Sequence, residues 1–265
     1  MHPHLFQFGH LVVPTFGVLV ALGFVVALAV CLRSGRLLGL PTQKLWNLAL
    51  LAAAVSIFSA KLLLAALYWR DDGVRALALG LGESGIALPL GILIAIGACW
   101  LYARHAGLPL RRTADALAPA LALLSSIAAI GCLEAGCGYG TPSNLPWAIV
   151  FTGASGIPSA PIGVPLHPTE LYSAILEWIL FVLLLRLLHR PHGEGEVMGA
   201  WLFLSGLGRA LLAGLRGDAV PLFGGLLTVT ELGGALMVIA GGLLWLRRGA
   251  LAIAPAPASG EPHAL

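Results

Sequence analysis

Charge is what this chain has least of. Its 265 residues include 15 Lys and Arg and 12 Asp and Glu, so 10% are charged while 58% are hydrophobic. A water-soluble domain needs a solvated polar surface, and this composition excludes one. The formal net charge of +3 is too small to mark a nucleic-acid partner, and none is expected. Cysteine is scarce as well: Cys31, Cys99, Cys132 and Cys137 are too few and too scattered for a disulfide scaffold. Cys31 and Cys99 lie inside apolar runs and read as packing residues. Met1-His2-Pro3-His4 lacks the basic region of a cleavable signal peptide, so the first apolar run is expected to be retained. No internal repeat of the kind that builds inverted-repeat transporters is present.

What the chain does have is apolar length. Runs fall at about 11–32, 45–69, 85–103, 114–135, 168–189, 197–216 and 222–246. A helix needs roughly 20 apolar residues to cross the hydrocarbon core, so the expectation is an all-α integral membrane protein of about seven transmembrane helices. Residues 1–250 form one domain and residues 251–265, rich in Pro and Ala, a disordered tail. The run 85–103 is the weakest, because Glu83 and Pro89 crowd its start and a re-entrant entry would suit them. Cations fix the orientation. Ten of the 15 lie after spans one, three and five and at the C-terminus: Arg33, Arg36, Lys44, Arg104, Arg111, Arg112, Arg186, Arg190, Arg247 and Arg248. Arg70 and Arg75 lie on the opposite side, with Arg209 and Arg216 toward the end of span six. The N-terminus is therefore expected outside and the C-terminus in the cytoplasm.

That orientation brings the stretch Gly131-Cys132-Leu133-Glu134-Ala135-Gly136-Cys137-Gly138-Tyr139-Gly140 to the outer face. Its glycines break helix and allow close packing, and an acid at membrane depth is rarely kept for stability alone. The loop from Gly138 to Leu166 holds no Lys, Arg, Asp or Glu, and its Pro, Trp and Phe residues suit the interface. His167-Pro168 then opens span five, with Glu170 in its first turn, where the helix dipole favours a carboxylate. Lys61 stands seven residues before Tyr68, and Arg209 seven before Arg216. Both are then about 10 Å below the outer boundary. Two cations at one depth suit an anionic lipid head group, although snorkelling explains Lys61 about equally well. Glu231, after Thr228 and Thr230, reads as a helix-entry residue.

Glu134 and Cys137 share a face if the helix continues, and a carboxylate beside a thiol makes it a poorer nucleophile. Glu134, not Cys137, is therefore expected to carry the chemistry or binding there. Cys132 and Cys137 lie about 140° apart around a helix and can bond only if Gly136 breaks it. A Cys–His pair with His167 has no spacing signature, and these ligands do not assemble an expected metal site.

Taken together, these residues resemble the prolipoprotein diacylglyceryl transferases, seven-span bacterial inner-membrane enzymes with the N-terminus outside. They move diacylglyceryl from phosphatidylglycerol to the lipobox cysteine of a prolipoprotein. The resemblance covers about residues 14–246. His167-Pro168-Thr169-Glu170-Leu171-Tyr172 is close to the family's His-Pro-Ser-Gln-Leu-Tyr, and Pro14-Thr15-Phe16-Gly17 resembles its first-span Trp-Tyr-Gly. Ser59-Ala60-Lys61 resembles Gly-Gly/Ala-Arg, and Gly206 to Arg209 the Gly-x-x-Arg segment with its essential arginine. Gly136 to Gly140 falls on the Gly-Glu-x-x-Gly end of the signature stretch. The chain departs from the family at Pro89-Leu90-Gly91, where a catalytic His-Gly-Gly is usual. Ala129 and Cys132 replace the Arg and Asn of the signature, Cys137 its acid, Ala213 the late acid, and Phe16 the tyrosine.

The resemblance implies a diverged, phosphatidylglycerol-dependent transferase at the outer face of the inner membrane, using no cofactor. Its catalytic residues would be Glu134, His167 and Arg209. Lys61, Cys132, Cys137, Tyr139, Glu170 and Tyr172 would bind lipid. The expected partners are an anionic phospholipid, a prolipoprotein and the membrane. A non-catalytic lipid-binding or accessory protein on the same scaffold is the alternative, and thiol redox through Cys132 and Cys137 a third idea.

Overall fold

The computed structural model describes residues 4–8, 11–67, 87–152, 160–246 and 252–253. Seven long helices run through the described residues: α1 (Thr15–Leu37), α2 (Thr42–Leu67), α3 (Ala87–His105), α4 (Leu110–Ala135), α5 (Thr169–Leu188), α6 (Glu196–Ala213) and α7 (Val229–Leu246). Six are long and apolar enough to cross a membrane, and α3 contributes a shorter apolar stretch, Leu90–His105. At 1.5 Å per residue, 18 to 26 residues give about 27–39 Å, which matches a hydrocarbon core of about 30 Å. The expected all-α, multi-span architecture is the one observed. Tyr68, Arg70, Arg75, Glu83, Arg247 and Arg248 fall outside the described residues.

Proline sets several helix entries. Pro14, Pro109 and Pro168 stand immediately before α1, α4 and α5 in extended or non-helical conformations. A residue without an N–H loses nothing at a helix start, so the break falls there at little cost. The last span begins at Val229, not near 222, because Pro221–Leu222 and Leu227–Thr228 pair as a short hairpin. Gly224 and Gly225 turn that hairpin at positive φ. Glu231 accepts from the Thr228 amide at 2.7 Å, while the Thr228 hydroxyl accepts from the Glu231 amide at 3.2 Å. This reciprocal capping box starts α7.

Neighbouring helices pack antiparallel. Gly23 of α1 meets Ile127 of α4, and Phe16 meets Gly131. The Ser59 hydroxyl of α2 donates to Gly91 O of α3 at 3.2 Å, and Ser126 of α4 donates to Ala174 O of α5 at 2.8 Å. Closest of all are α6 and α7: a Cβ added at Gly206 would lie 2.7 Å from Gly234 O. With lipid outside the bundle, such backbone approach supplies the dispersion contact that hydrophobicity cannot. Leu22, Val25, Phe58, Leu93, Leu211 and Ile239 project outward, as lipid-facing side chains do.

One end of the bundle is closed by polar groups. Asp115, fully buried near the start of α4, accepts from the amides of Gly195 at 2.7 Å and Met198 at 2.9 Å. These N–H groups begin α6 and have no intrahelical partner, so the carboxylate supplies one. Arg112 pairs with Glu194 at 2.6 Å beside it. Ala252–Ile253, in the stretch expected to be disordered, pairs with His192–Gly193; the rest of that stretch lies outside the described residues.

Candidate functional site at the α4–α5–α6 end

At the opposite end the glycine-rich stretch does what its composition suggests. Gly136 takes φ +75° and ends α4. The Cys137 amide then donates back to Cys132 O at 3.1 Å. This is the left-handed helix stop that glycine makes at little cost. Beyond it the chain is pinned on three sides. The Gly138 amide donates to Asp218 at 3.1 Å, and Gly138 O accepts from the Thr169 hydroxyl at 2.6 Å. The Gly217 amide donates to Tyr139 O at 2.8 Å, and the Thr141 amide to Leu215 O at 2.8 Å. The ends of α4 and α6 and the start of α5 thus form one polar knot.

Arg216 is its centre. Sequence spacing places it in span six, but α6 ends at Ala213, so Arg216 sits just beyond. Its guanidinium pairs with both oxygens of Asp218, at 3.0 and 2.9 Å, and reaches Glu170 at 3.4 Å. Burial works against the cation, but Asp218 and then Glu170 outweigh it, so Arg216 is held still more firmly protonated than an ordinary arginine. Glu170 lies over Gly138, where any side chain would overlap its carboxylate.

One turn pair deeper the motif repeats. Glu177, seven residues after Glu170 and buried, faces Arg209, seven residues before Arg216, at 3.6 Å. Antiparallel α5 and α6 bring Glu177 against Arg209, and Glu170 meets Arg216 just beyond the end of α6. Glu177 also accepts from Trp201 Nε1 at 3.1 Å and from the Ser205 hydroxyl. The two arginines are not equivalent. Arg216 is 26% exposed and forked onto Asp218, whereas Arg209 is 46% exposed with a single longer ion pair. Arg209 is the cation with donors to spare.

The other candidate residues are placed as follows. Cys132 lies within electrostatic reach of Glu170 and Arg216, and the Cys137 thiol donates to Cys132 O at 3.5 Å. Tyr139 packs its ring with Phe151, Ala160 and Leu166. The Tyr172 hydroxyl accepts from Trp147 Nε1 at 2.8 Å, and its ring meets His167 edge-on with centroids 6.4 Å apart. His167 Nδ1 is buried and has no hydrogen-bond partner among the described residues. Glu134 is half-buried three residues after Gly131, on the face of α4 that packs on Phe16 and Leu19 of α1. It is about 200° around the helix from Cys132, so α4 presents the two on different faces. Lys61 is half-buried on α2, next to Ala60, which packs on Gly91. Pro89 lies in the first turn of α3.

Sequence reasoning did not find Glu177 or Asp218. The equal spacing of 170/177 and 209/216 points to Glu177 only once α5 and α6 are set antiparallel. Among the described residues, no group of three or more His, Cys, Asp or Glu could hold a metal ion.

Residues 3–247 match the family model described as prolipoprotein diacylglyceryl transferase. Similar proteins include the phosphatidylglycerol–prolipoprotein diacylglyceryl transferase of Clostridium tetani, 29% identical over 82% of this chain and 86% of that protein. That of Finegoldia magna is 27% identical over 88% and 90%, and that of Parasynechococcus marenigrum 29% over 93% and 94%. With its apolar helices suited to a multi-pass place in the bacterial inner membrane, the chain belongs to the prolipoprotein diacylglyceryl transferase family.

Proposed function

We propose that this chain is a diverged member that transfers diacylglyceryl from an anionic phospholipid such as phosphatidylglycerol to a prolipoprotein cysteine, at the outer face of the membrane. The observation that supports it most is Arg209: half-exposed and held at one contact by buried Glu177.

In such a transfer the acceptor sulfur forms a bond to the terminal glyceryl carbon as that carbon's bond to a phosphate oxygen breaks. The thiol proton goes to a base, and a phosphate monoester leaves. The phosphate gains negative charge as the bond breaks, so a guanidinium beside it binds the transition state more tightly than the lipid. Arg209 takes this role, with Lys61 as second ligand from α2. His167, whose Nδ1 has no competing partner among the described residues, takes the thiol proton. Glu134 is the other candidate base. Glu170, Tyr139, Tyr172 and the two cysteines line the head-group end. Arg216, saturated by Asp218 and Glu170, holds the three helix ends together.

The departures at Pro89 and Ala129 set the expected rate. Each removes a polar group of the family pattern, and one base or anion ligand is worth orders of magnitude. The chain is therefore expected not to replace the standard enzyme in a cell depleted of it. The test is reconstitution of the purified protein with phosphatidylglycerol and a lipobox peptide, followed by mass measurement of the peptide. Slow thioether formation supports the transferase. Retention of phosphatidylglycerol with no modified peptide assigns the chain to lipid binding without catalysis.

A further inference from the structure

On an uninterrupted helix, Cys132 and Cys137 would have α-carbons about 8–9 Å apart, given the rise and turn per residue. A disulfide spans at most about 6.8 Å between α-carbons, so a continuing α4 could not hold one. The helix does not continue to Cys137: α4 ends at Ala135. Gly136 in the left-handed conformation folds the chain back, with the Cys137 amide on Cys132 O at 3.1 Å. The Cys137 sulfur itself lies 3.5 Å from Cys132 O. Both cysteines are half-buried, and both are reduced here. The remaining two do not compete: Cys31 is 2% exposed within α1, and Cys99 of α3 points to Leu48 O of α2.

We propose that Cys132 and Cys137 are a redox-active pair that closes into an intramolecular disulfide and clamps the polar knot. The oxidant is a disulfide-bearing thiol oxidoreductase or a small disulfide. Cys137, which lies beyond the helix end, attacks one sulfur of that disulfide as a thiolate, forming a mixed disulfide and releasing the oxidant's other sulfur as a thiolate. Cys132, as a thiolate, then attacks the Cys137 sulfur and displaces the oxidant's attached sulfur, so the oxidant ends as a dithiol or, for a small disulfide, as two thiols. Two S–H bonds are lost from the pair, and their two protons end on the reduced oxidant.

The position gives the bond a consequence. The next residue, Gly138, is bonded to Asp218 and Thr169 and lies beneath Glu170. A link from Cys137 to Cys132 fixes it to α4 and leaves the Arg216 cluster less able to open. Compartments that hold disulfides lie outside the cytoplasm, the side on which charge asymmetry places this end.

The test counts thiols. Purified protein in lipid nanodiscs is treated with oxidised glutathione or with a phosphine reductant, denatured, alkylated with a maleimide and analysed by mass. The proposal expects two fewer adducts after oxidation, both mapped to Cys132 and Cys137, and no covalent dimer. Cys132→Ser and Cys137→Ser should each abolish the difference. Hydrogen exchange at residues 137–140 should slow at least tenfold in the oxidised wild type only. Four adducts after oxidation would overturn the proposal, as would a link mapped to Cys31 or Cys99 or to a second copy. Unchanged exchange despite a mapped 132–137 link would overturn the clamp. Neither readout uses transfer activity, so the result is separate from the transferase reading.

Discussion

Asp115 and Glu177 are both acids withdrawn into the bundle, and both serve α6, yet their surroundings differ in kind. Asp115 meets the amides that begin the helix, two short bonds from groups that cannot move away. Glu177 meets side chains: Trp201, Ser205 and a guanidinium that is half in the open. The first arrangement consumes its donors and ties α4 to the α5–α6 turn. The second keeps Arg209 aimed while leaving most of its N–H groups available. A buried acid is therefore read by what it holds. Backbone donors mark a lock, and a half-exposed cation marks a site.

Breaking the lock should give the largest effect. Asp115→Ala leaves the Gly195 and Met198 amides without their acceptor, and unpaired buried donors cost about 1–3 kcal/mol each. The unfolding midpoint in detergent should fall steeply, while activity per folded molecule stays near wild type. A midpoint unchanged from wild type would show that water replaces the carboxylate and that the lock is illusory.

Glu177→Gln should sharpen the contrast at the site. The amide oxygen can still accept from Trp201 while its NH2 donates to the Ser205 hydroxyl, so folding is kept, but Arg209 loses its counter-charge. We expect transfer to drop about tenfold, roughly 1.4 kcal/mol, chiefly in kcat. Glu177→Asp, which keeps the charge, should recover part of it. Equal losses in all variants, tracking the midpoint, would make Glu177 a second lock.

The smallest effects belong to Glu134 and the caps. Glu134→Gln should cost less than His167→Gln in the same transfer assay, because Glu134 lies on the α1 face of α4; the opposite order would return the base role to Glu134. Glu231→Ala removes one half of the capping box and should lower stability by about 1 kcal/mol with no change in transfer.

The helices were legible because length and hydropathy specify a membrane span almost without reference to neighbours. Where the expected bounds differ, local backbone chemistry decides. The Gly224–Gly225 hairpin delays α7, and the end of α6 at Ala213 frees Arg216 to turn toward Asp218. The site was half legible. Arg209 and the Gly136–Gly140 turn carried their own signals, an intramembrane cation and a run of helix breakers. Glu177 carried none in isolation, since an acid on α5 acquires its partner only when α6 packs antiparallel beside it. Asp218 is two residues from Arg216 in sequence, but its bond to Gly138 spans the fold. Pairings of that range are set by packing, which periodicity does not encode.

The account stands or falls on Arg209 as the phosphate ligand. Its most direct test is the rate of diacylglyceryl transfer by Arg209→Ala relative to wild type, in matched nanodiscs containing phosphatidylglycerol. The unfolding midpoint is checked in parallel. The account predicts a loss of at least a hundredfold, about 2.7 kcal/mol of transition-state stabilisation, with the midpoint unchanged. A rate within threefold of wild type would contradict it and leave Arg209 as a partner of Glu177 and nothing more.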